Sequence, residues 1–212
     1  MFNRIFKKRK WPEISMEDVR KRSKILVIDD MDFAYLELFI NDGYSIDKWN
    51  DVDDLPKLEK GYYDIILLDI QGIGKAQSAE QGLGILKHLR KTSPAQVIIA
   101  FSNADYSLKY QDFFRMADLT LSKSSDYVEF KRAVDRLLGE RFSLGFYIER
   151  VAGIASPYIS DMSRLKALTS SALLSGNNKK LLAYLNENIE TKEAISMILQ
   201  VVSIGLTIAG ML

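Results

Sequence analysis

The chain has 212 residues, of which 47% are hydrophobic, and its formal net charge at pH 7 is +1. A chain of this composition can bury a core, so it is not expected to be disordered as a whole. A nearly neutral chain has no global field that would favour nucleic acid. The sequence has no cysteine, which excludes disulfides, thiolate zinc sites and cysteine nucleophiles and fits a reducing cytoplasm.

Four regions follow one another along the chain. Residues 1–23 form a basic leader and a short helix, 24–140 alternate apolar runs with amphipathic stretches, 141–193 form a helical module, and 194–212 form an apolar tail. The first eleven residues are too charged for a secretory signal. Their mixture of basic and aromatic residues suits an anionic membrane surface, and a solvated terminus is the equal alternative.

The second region predicts an α/β fold. Five short apolar runs read as strands buried on both faces: Lys24–Asp29, Ser45–Trp49, Asp64–Asp69, Gln96–Phe101 and Leu119–Ser122. Amphipathic stretches predict five helices: Phe33–Asn41, Val52–Lys60, Leu83–Lys91, Ser107–Met116 and Tyr127–Leu138. This alternation favours a doubly wound parallel sheet, in which a site lies past the carboxyl ends of the strands.

Polar side chains stand at four of the predicted strand ends. They are Asp29 and Asp30, Asp69, Ser102 and Lys123. Two charges about 4 Å apart repel by roughly 4 kcal/mol at an effective dielectric near 20, so the carboxylates need a counter-ion or a raised pKa. An all-oxygen site of this kind suits Mg²⁺. Lys123 would supply positive charge, and Ser102 a hydrogen bond, to a phosphoryl group on Asp69.

The segments KILVIDD, DIILLD, VIIAFSNA and ADLTLSK, in that order, resemble the receiver domains of two-component response regulators over about residues 23–140. The resemblance implies a flavodoxin-like fold of strand order 2-1-3-4-5, phosphorylation of Asp69, and a histidine kinase or phosphotransfer protein as the donor. It implies Mg²⁺ bound by Asp30, Asp69 and the backbone carbonyl of Gln71, with Asp29 acting through water. The only reactions it implies are the domain's own phosphorylation and dephosphorylation.

Three features depart from the pattern of that family. Ser124 stands where a proline with a cis peptide usually follows the lysine, and Thr120 replaces an aromatic switch residue. The segment 70–82, IQGIGKAQSAEQG, is longer than usual and ends at Gly82, which matches the glycine that opens the third helix. We expect the chemistry to survive, the usual output to be altered, and the long loop to cover the site or bind a partner.

Other interpretations of the same residues stay open. A receiver that only binds partners, without phosphorylation, is the main alternative. The sequence Asp30-Met31-Asp32 also resembles the opening of haloacid-dehalogenase-type phosphatases. His88 is the only histidine and is expected on a solvated helix face, and the segment 72–75 is too short for a phosphate loop.

The helical module lacks a basic recognition helix, so DNA binding is not expected. One predicted helix has an apolar face formed by Ile159, Met162, Leu165, Leu168 and Ala172. Gly176-Asn177 ends that helix and opens the next, which runs to about Ile189.

The tail has no charged residue between Ala194 and Leu212. This pattern predicts a short membrane span that would anchor a cytoplasmic receiver to the cytoplasmic membrane. A helix in a soluble or oligomeric bundle is the alternative. Small and polar residues recur along one stripe: Ser196, Gln200, Ser203, Thr207 and Gly210. In lipid this stripe would form a helix–helix contact, including one between copies of the chain; in water it would be the exposed face of a packed helix.

Overall fold

The computed structural model describes residues 10–102 and 115–211. Residues 1–9 of the basic leader, and residues 107–114 of the predicted helix Ser107–Met116, lie outside the described residues. The chain divides into two units. The sheet unit is Ser15–Arg141, and the helical unit joins Phe142–Leu212 with the residues that precede Ser15.

The sheet unit alternates strands and helices in the predicted order. Its strands are β1 (Lys24–Ile28), β2 (Ser45–Trp49), β3 (Ile65–Asp69), β4 (Val97–Ser102) and β5 (Leu119–Ser122). Its described helices are α1 (Met16–Arg22), α2 (Leu36–Asn41), α3 (Leu55–Glu59), α4 (Gly82–Thr92) and α5 (Tyr127–Arg141).

The five strands form one parallel sheet in the order β2-β1-β3-β4-β5. Every residue of β3 and β4 is buried, because helices cover both faces of a parallel sheet. This order is the flavodoxin-like one, so the predicted fold is confirmed. Since β1 and β3 lie side by side in the middle, their carboxyl ends open on the same crevice.

Local hydrogen bonds fix where the helices begin. Asp54 caps α3 through the N–H of Lys57, which explains why α3 starts later than the predicted Val52. Asp126 accepts a hydrogen bond from the N–H of Glu129 at 2.9 Å and caps α5.

Ion pairs connect the first helix and the last residue of the sheet unit to the rest of that unit. Arg20 of α1 forms two hydrogen bonds with Asp135 of α5, at 2.6 and 2.9 Å. Arg141, the last residue of α5, is buried; its guanidinium donates to Asp64 at 3.0 Å and to the carbonyl of Ala95 at 3.1 Å. Helix α1, which the sequence grouped with the leader, therefore packs on the sheet unit.

The helical unit contains α6 (Leu144–Ala155), α7 (Met162–Ser175), α8 (Lys179–Asn188) and α9 (Lys192–Met211). Gly176 ends α7 in the left-handed region at φ 71°, as the sequence predicts. Within this unit the indole of Trp11 donates to the carbonyl of Phe142 at 2.7 Å and lies against the ring of Tyr147. Trp11 is thus held by protein contacts.

The tail residues form most of α9, which packs against α6 and α7. Its apolar face is buried through Ala194, Ile198, Val201, Val202 and Ile208. The predicted stripe lies on the outside: Ser196, Ser203, Thr207 and Gly210 are exposed and Gln200 is partly exposed. By length and composition, the segment Lys192–Gly210 is the one described helix that could cross a membrane, and 33% of its most apolar window is buried. The membrane anchor stays a prediction.

Candidate functional site

The predicted polar residues meet at the carboxyl edge of the sheet. Asp69 is the last residue of β3 and Asp29 follows β1, and both side chains are buried. Ser102 ends β4 and is also buried, one residue beyond the Phe101 that pairs with Asp69 in the parallel register. Lys123 follows β5, and its N–H donates to the Ser102 carbonyl at 3.1 Å.

Lys123 joins two of the acids. Its Nζ lies 2.9 Å from Asp29 Oδ1 and 2.8 Å from Asp69 Oδ2. The lysine side chain is 16% exposed and the two carboxylates 3% and 4%, so water screens these charges little. Burial lowers the pKa of Lys123, but its hydrogen bonds to Asp69 and Asp29 outweigh this and raise the pKa above its ordinary value. The ammonium is therefore charged at neutral pH.

Both oxygens of Asp69 are held. Oδ1 accepts hydrogen bonds from the N–H of Ile70 at 2.7 Å and, at a longer 3.4 Å, from that of Gln71, while Oδ2 faces Lys123. Burial raises the pKa of the Asp69 carboxyl, and the contact with Lys123 only partly offsets this. The site thus holds a desolvated carboxylate in one orientation beside a fixed positive charge.

The acidic cluster, defined as Asp29, Asp30 and Asp69, fits a divalent cation. One carboxylate oxygen from each residue lies within 4.8 Å of the others, with Asp30 exposed and the other two buried. Lys123 pairs with two of the three carboxylates, Asp29 and Asp69. An all-oxygen donor set with excess negative charge suits Mg²⁺. The predicted carbonyl ligand belongs to Gln71, two residues after Asp69, and the N–H of Gln71 lies 3.4 Å from Asp69 Oδ1.

No protein-family model matches the sequence, and no curated protein is significantly similar to it. Among solved structures, a receiver domain from Methanospirillum hungatei is 20% identical, with a TM-score of 0.47, over 56% of this chain and 95% of that chain. The response regulator TrrA from Thermotoga maritima, in complex with Mg²⁺ and BeF, is 28% identical, with a TM-score of 0.45, over 54% of this chain and 98% of that chain. The receiver domain of a LuxO-like repressor from Vibrio parahaemolyticus is 17% identical, with a TM-score of 0.48, over 57% of this chain and 92% of that chain.

The fold is assigned from the strand order of the sheet and from the crevice at the carboxyl ends of β1 and β3. The sheet unit has the flavodoxin-like fold. The strand-end positions predicted that these polar side chains lie close together, and the structure brings Asp29, Asp30, Asp69 and Lys123 together.

The long loop of the sheet unit, residues 70–82, is held by hydrogen bonds to neighbouring residues. The N–H of Gly74 donates to Asp51, and Gln77 Nε2 donates to the carbonyl of Val52 at 3.1 Å. Ile73 is fully buried in the core beneath the sheet edge. The loop is thus an ordered wall beside the acidic cluster, a role that its Gly- and Gln-rich composition does not reveal.

Sequence reasoning also missed an aromatic cluster beside the site. A cavity of about 90 Å³ lies between the Asp29–Lys123 pair and four aromatic residues, Phe33, Tyr35, Phe101 and Phe130. The Phe101 ring lies 5.4 Å from Lys123 Nζ and 6.1 Å from the ring of Phe130 in α5. Aromatic side chains therefore connect the site to α5, although Thr120 provides no aromatic group on β5.

The segment after Lys123 forms a turn of its own. The N–H of Ser124 donates to Ser122 Oγ at 3.1 Å, and the N–H of Ser125 donates to the Ser122 carbonyl at 3.0 Å. The peptide bonds of the described residues are trans, including the one before Ser124. The serine that replaces the usual proline is thus accommodated by hydroxyl and backbone hydrogen bonds.

Proposed function

We propose that the sheet unit is a receiver domain that accepts a phosphoryl group on Asp69 in a Mg²⁺-dependent reaction. The observation that carries the proposal is the position of Asp69, buried between Lys123 and two further carboxylates at the carboxyl edge of the sheet. A carboxylate with this environment can act as a nucleophile toward phosphorus when the charge around it is balanced.

The reaction needs few protein groups. An Asp69 oxygen attacks phosphorus, one P–O bond forms, and the bond to the donor's leaving group breaks, so that the electron pair departs with that group. The N–H groups of Ile70 and Gln71 hold the carboxylate in place. Lys123 and the Ser102 hydroxyl then pair with oxygens of the transferred phosphoryl group.

Asp29, Asp30, Asp69 and the Gln71 carbonyl would hold the metal. A bound Mg²⁺ supplies neutralisation of the phosphoryl charge. The protein's part is to keep three carboxylates close together despite their repulsion, and Lys123 helps by pairing with two of them.

A histidine kinase or a phosphotransfer protein is the proposed donor, and the cytoplasm is the proposed location of the sheet unit. The helical unit is the proposed output. Because the apolar face of α9 is buried within that unit and its polar stripe is outside, we favour a bundle helix over a membrane span. The exposed stripe then needs neither lipid nor a second copy to cover it.

Intact-mass measurement after incubation with acetyl phosphate and Mg²⁺ tests the proposal. The full chain should gain one phosphoryl group, and Asp69→Asn should abolish the gain because the nucleophile is lost. Asp53→Asn removes an exposed carboxylate outside the cluster and should leave the adduct intact. EDTA should prevent the reaction. A full chain that gains no mass contradicts the proposal and favours a receiver that only binds partners. An adduct that survives Asp69→Asn contradicts Asp69 as the acceptor.

A further inference from the structure

Gln81, the last loop residue before α4, has an unusual backbone. Its φ is 56° and its ψ is −134°, and it is the only non-glycine with positive φ among residues 10–102 and 115–211. Glycine would adopt this conformation without steric cost, whereas a side chain there is strained. Strain of this kind tends to persist where a side chain has a task.

The task of the Gln81 side chain is visible in its contact. Its Oε1 accepts a hydrogen bond from the N–H of Gly72 at 2.9 Å, across nine residues of the loop. The backbone of Gln81 is itself held in place, because its N–H donates to the Ser78 carbonyl at 3.0 Å and α4 begins at the next residue. Gln81 thus connects the start of a helix to the peptide between Gln71 and Gly72.

The two residues joined by that peptide both lie against the acidic cluster. On one side, the N–H of Gln71, which belongs to the preceding peptide, lies 3.4 Å from Asp69 Oδ1. On the other side, a Cβ added to Gly72 would lie 2.0 Å from Asp30 Oδ2. Gly72 has φ +86° as well, so this close approach requires glycine. A trans peptide directs its C=O and N–H in opposite directions. The hydrogen bond to Gln81 therefore turns the Gln71 carbonyl away from Gln81 and fixes its direction.

We infer that Gln81 is a positioning residue for divalent cation binding, because it holds the Gln71–Gly72 peptide so that the Gln71 carbonyl can serve as a ligand beside Asp30 and Asp69. The inference rests on the proposed function. It gives the extended loop a role in the metal site: the loop carries the residue that orients a main-chain ligand. Groups that orient metal ligands typically change metal affinity by about tenfold to a hundredfold when they are removed.

Calorimetric titration of the full chain with Mg²⁺ alone tests the inference, without any phosphoryl donor. Gln81→Gly removes the side chain and the backbone strain together, so that weaker binding cannot come from added strain. We expect its Kd for Mg²⁺ to rise about tenfold or more. Gln81→Glu keeps an oxygen acceptor at the same reach and should restore binding. Gln77→Ala is the matched control, because Gln77 lies in the same loop but donates to Val52 instead; its Kd should stay near that of the unmodified chain.

The outcomes separate this inference from the proposed function. A Gln81→Gly chain that binds Mg²⁺ as tightly as the unmodified chain overturns the inference and leaves the proposed function standing. Equal weakening by Gln81→Gly and Gln77→Ala also overturns it, because general loosening of the loop would then be the cause. If the unmodified chain binds no Mg²⁺, the metal requirement of the proposed function fails as well.

Discussion

Lys123 Nζ lies 2.8 Å from Asp69 Oδ2, although their strands are not neighbours in the sheet. Strand β4 separates β5 from β3, and the lysine reaches across its carboxyl end. The contact joins residues 54 positions apart, and the same ammonium holds Asp29. One cation thus compensates two buried acids at the edge where the phosphoryl group is proposed to arrive.

Lys123→Met should therefore destabilise the chain in the absence of Mg²⁺. Methionine keeps the length of the side chain but leaves two buried carboxylates without their cation. We expect the free energy of unfolding near neutral pH to fall by about 3 kcal/mol or more. Chemical denaturation measures this.

Lys87→Met is the control for the loss of a lysine. Lys87 pairs with Glu80 at the surface, where both side chains are largely exposed, so that change should stay within about 0.5 kcal/mol. Equal effects of the two changes would show that Lys123 does not compensate buried charge.

Gly82→Ala should disturb the end of β3. A Cβ at this position would lie 2.1 Å from the Asp69 carbonyl oxygen and 2.9 Å from that of Ile70, and backbone atoms cannot yield as a flexible side chain can. We expect a loss of about 1–3 kcal/mol in unfolding free energy, together with slower phosphorylation. Gly139→Ala in α5 meets only Met16 Sδ at 3.7 Å and should stabilise by about 0.5–1 kcal/mol. A stable, fully reactive Gly82→Ala chain would contradict the described start of α4.

Gly205→Ala tests whether α9 packs within the helical unit. The new Cβ would lie 2.7 Å from Leu173 and 2.9 Å from the ring of Tyr147. Because that ring is fully buried, we expect the free energy of unfolding to fall by about 1–3 kcal/mol. Thermal unfolding without detergent measures this. Gly153→Ala meets no atom within 4 Å and should be neutral or stabilising. Insertion of the chain into membranes, together with an unfolding free energy that Gly205→Ala leaves unchanged, would instead favour the membrane span.

Asp42→Asn should remove a pH-dependent contribution to stability. Lys131 and the hydroxyl of Tyr127 contact the Asp42 carboxylate and lower its pKa below the ordinary 3.8. Since the folded value lies below the unfolded one, this contribution is present above about pH 3.8 and is lost as the pH falls through the folded pKa. Acid unfolding should therefore be less steep in Asp42→Asn than in the unmodified chain. An unchanged acid transition would contradict the contact, and Asp53→Asn provides the control for an exposed acid.

Much of the sheet unit could be predicted because β1, β3 and β4 are buried almost throughout, whereas the edge strands β2 and β5 are only partly buried. Runs such as Ile65–Leu68 have no alternation, so their apolar character alone located them, and the acids that follow located the site edge. Hydrogen bonds between a side chain and the backbone elsewhere in the loop could not be predicted from apolar patterns. The bond between Gln81 and Gly72 depends on an unusual φ at a glutamine, and no local pattern predicts such a conformation.

The tail illustrates a different limit. Hydropathy along Ala194–Leu212 is the same for a membrane helix and for a helix buried in a bundle. What separates them is the partner surface, here Leu173 and Tyr147 against Gly205, and that surface comes from other parts of the chain. The exposed position of Ser203 and Thr207 fits the bundle alternative, which the periodicity alone left open.

Borohydride reduction of the phosphorylated chain, followed by peptide mapping, identifies the residue that carries the phosphoryl group. Reduction converts an aspartyl phosphate into homoserine with release of phosphate, so that the acceptor is marked by its position. We expect homoserine at residue 69 alone, and only when acetyl phosphate and Mg²⁺ are both supplied. Homoserine at Asp29 or Asp30, or its absence from position 69 in a chain that gained phosphate, would contradict it.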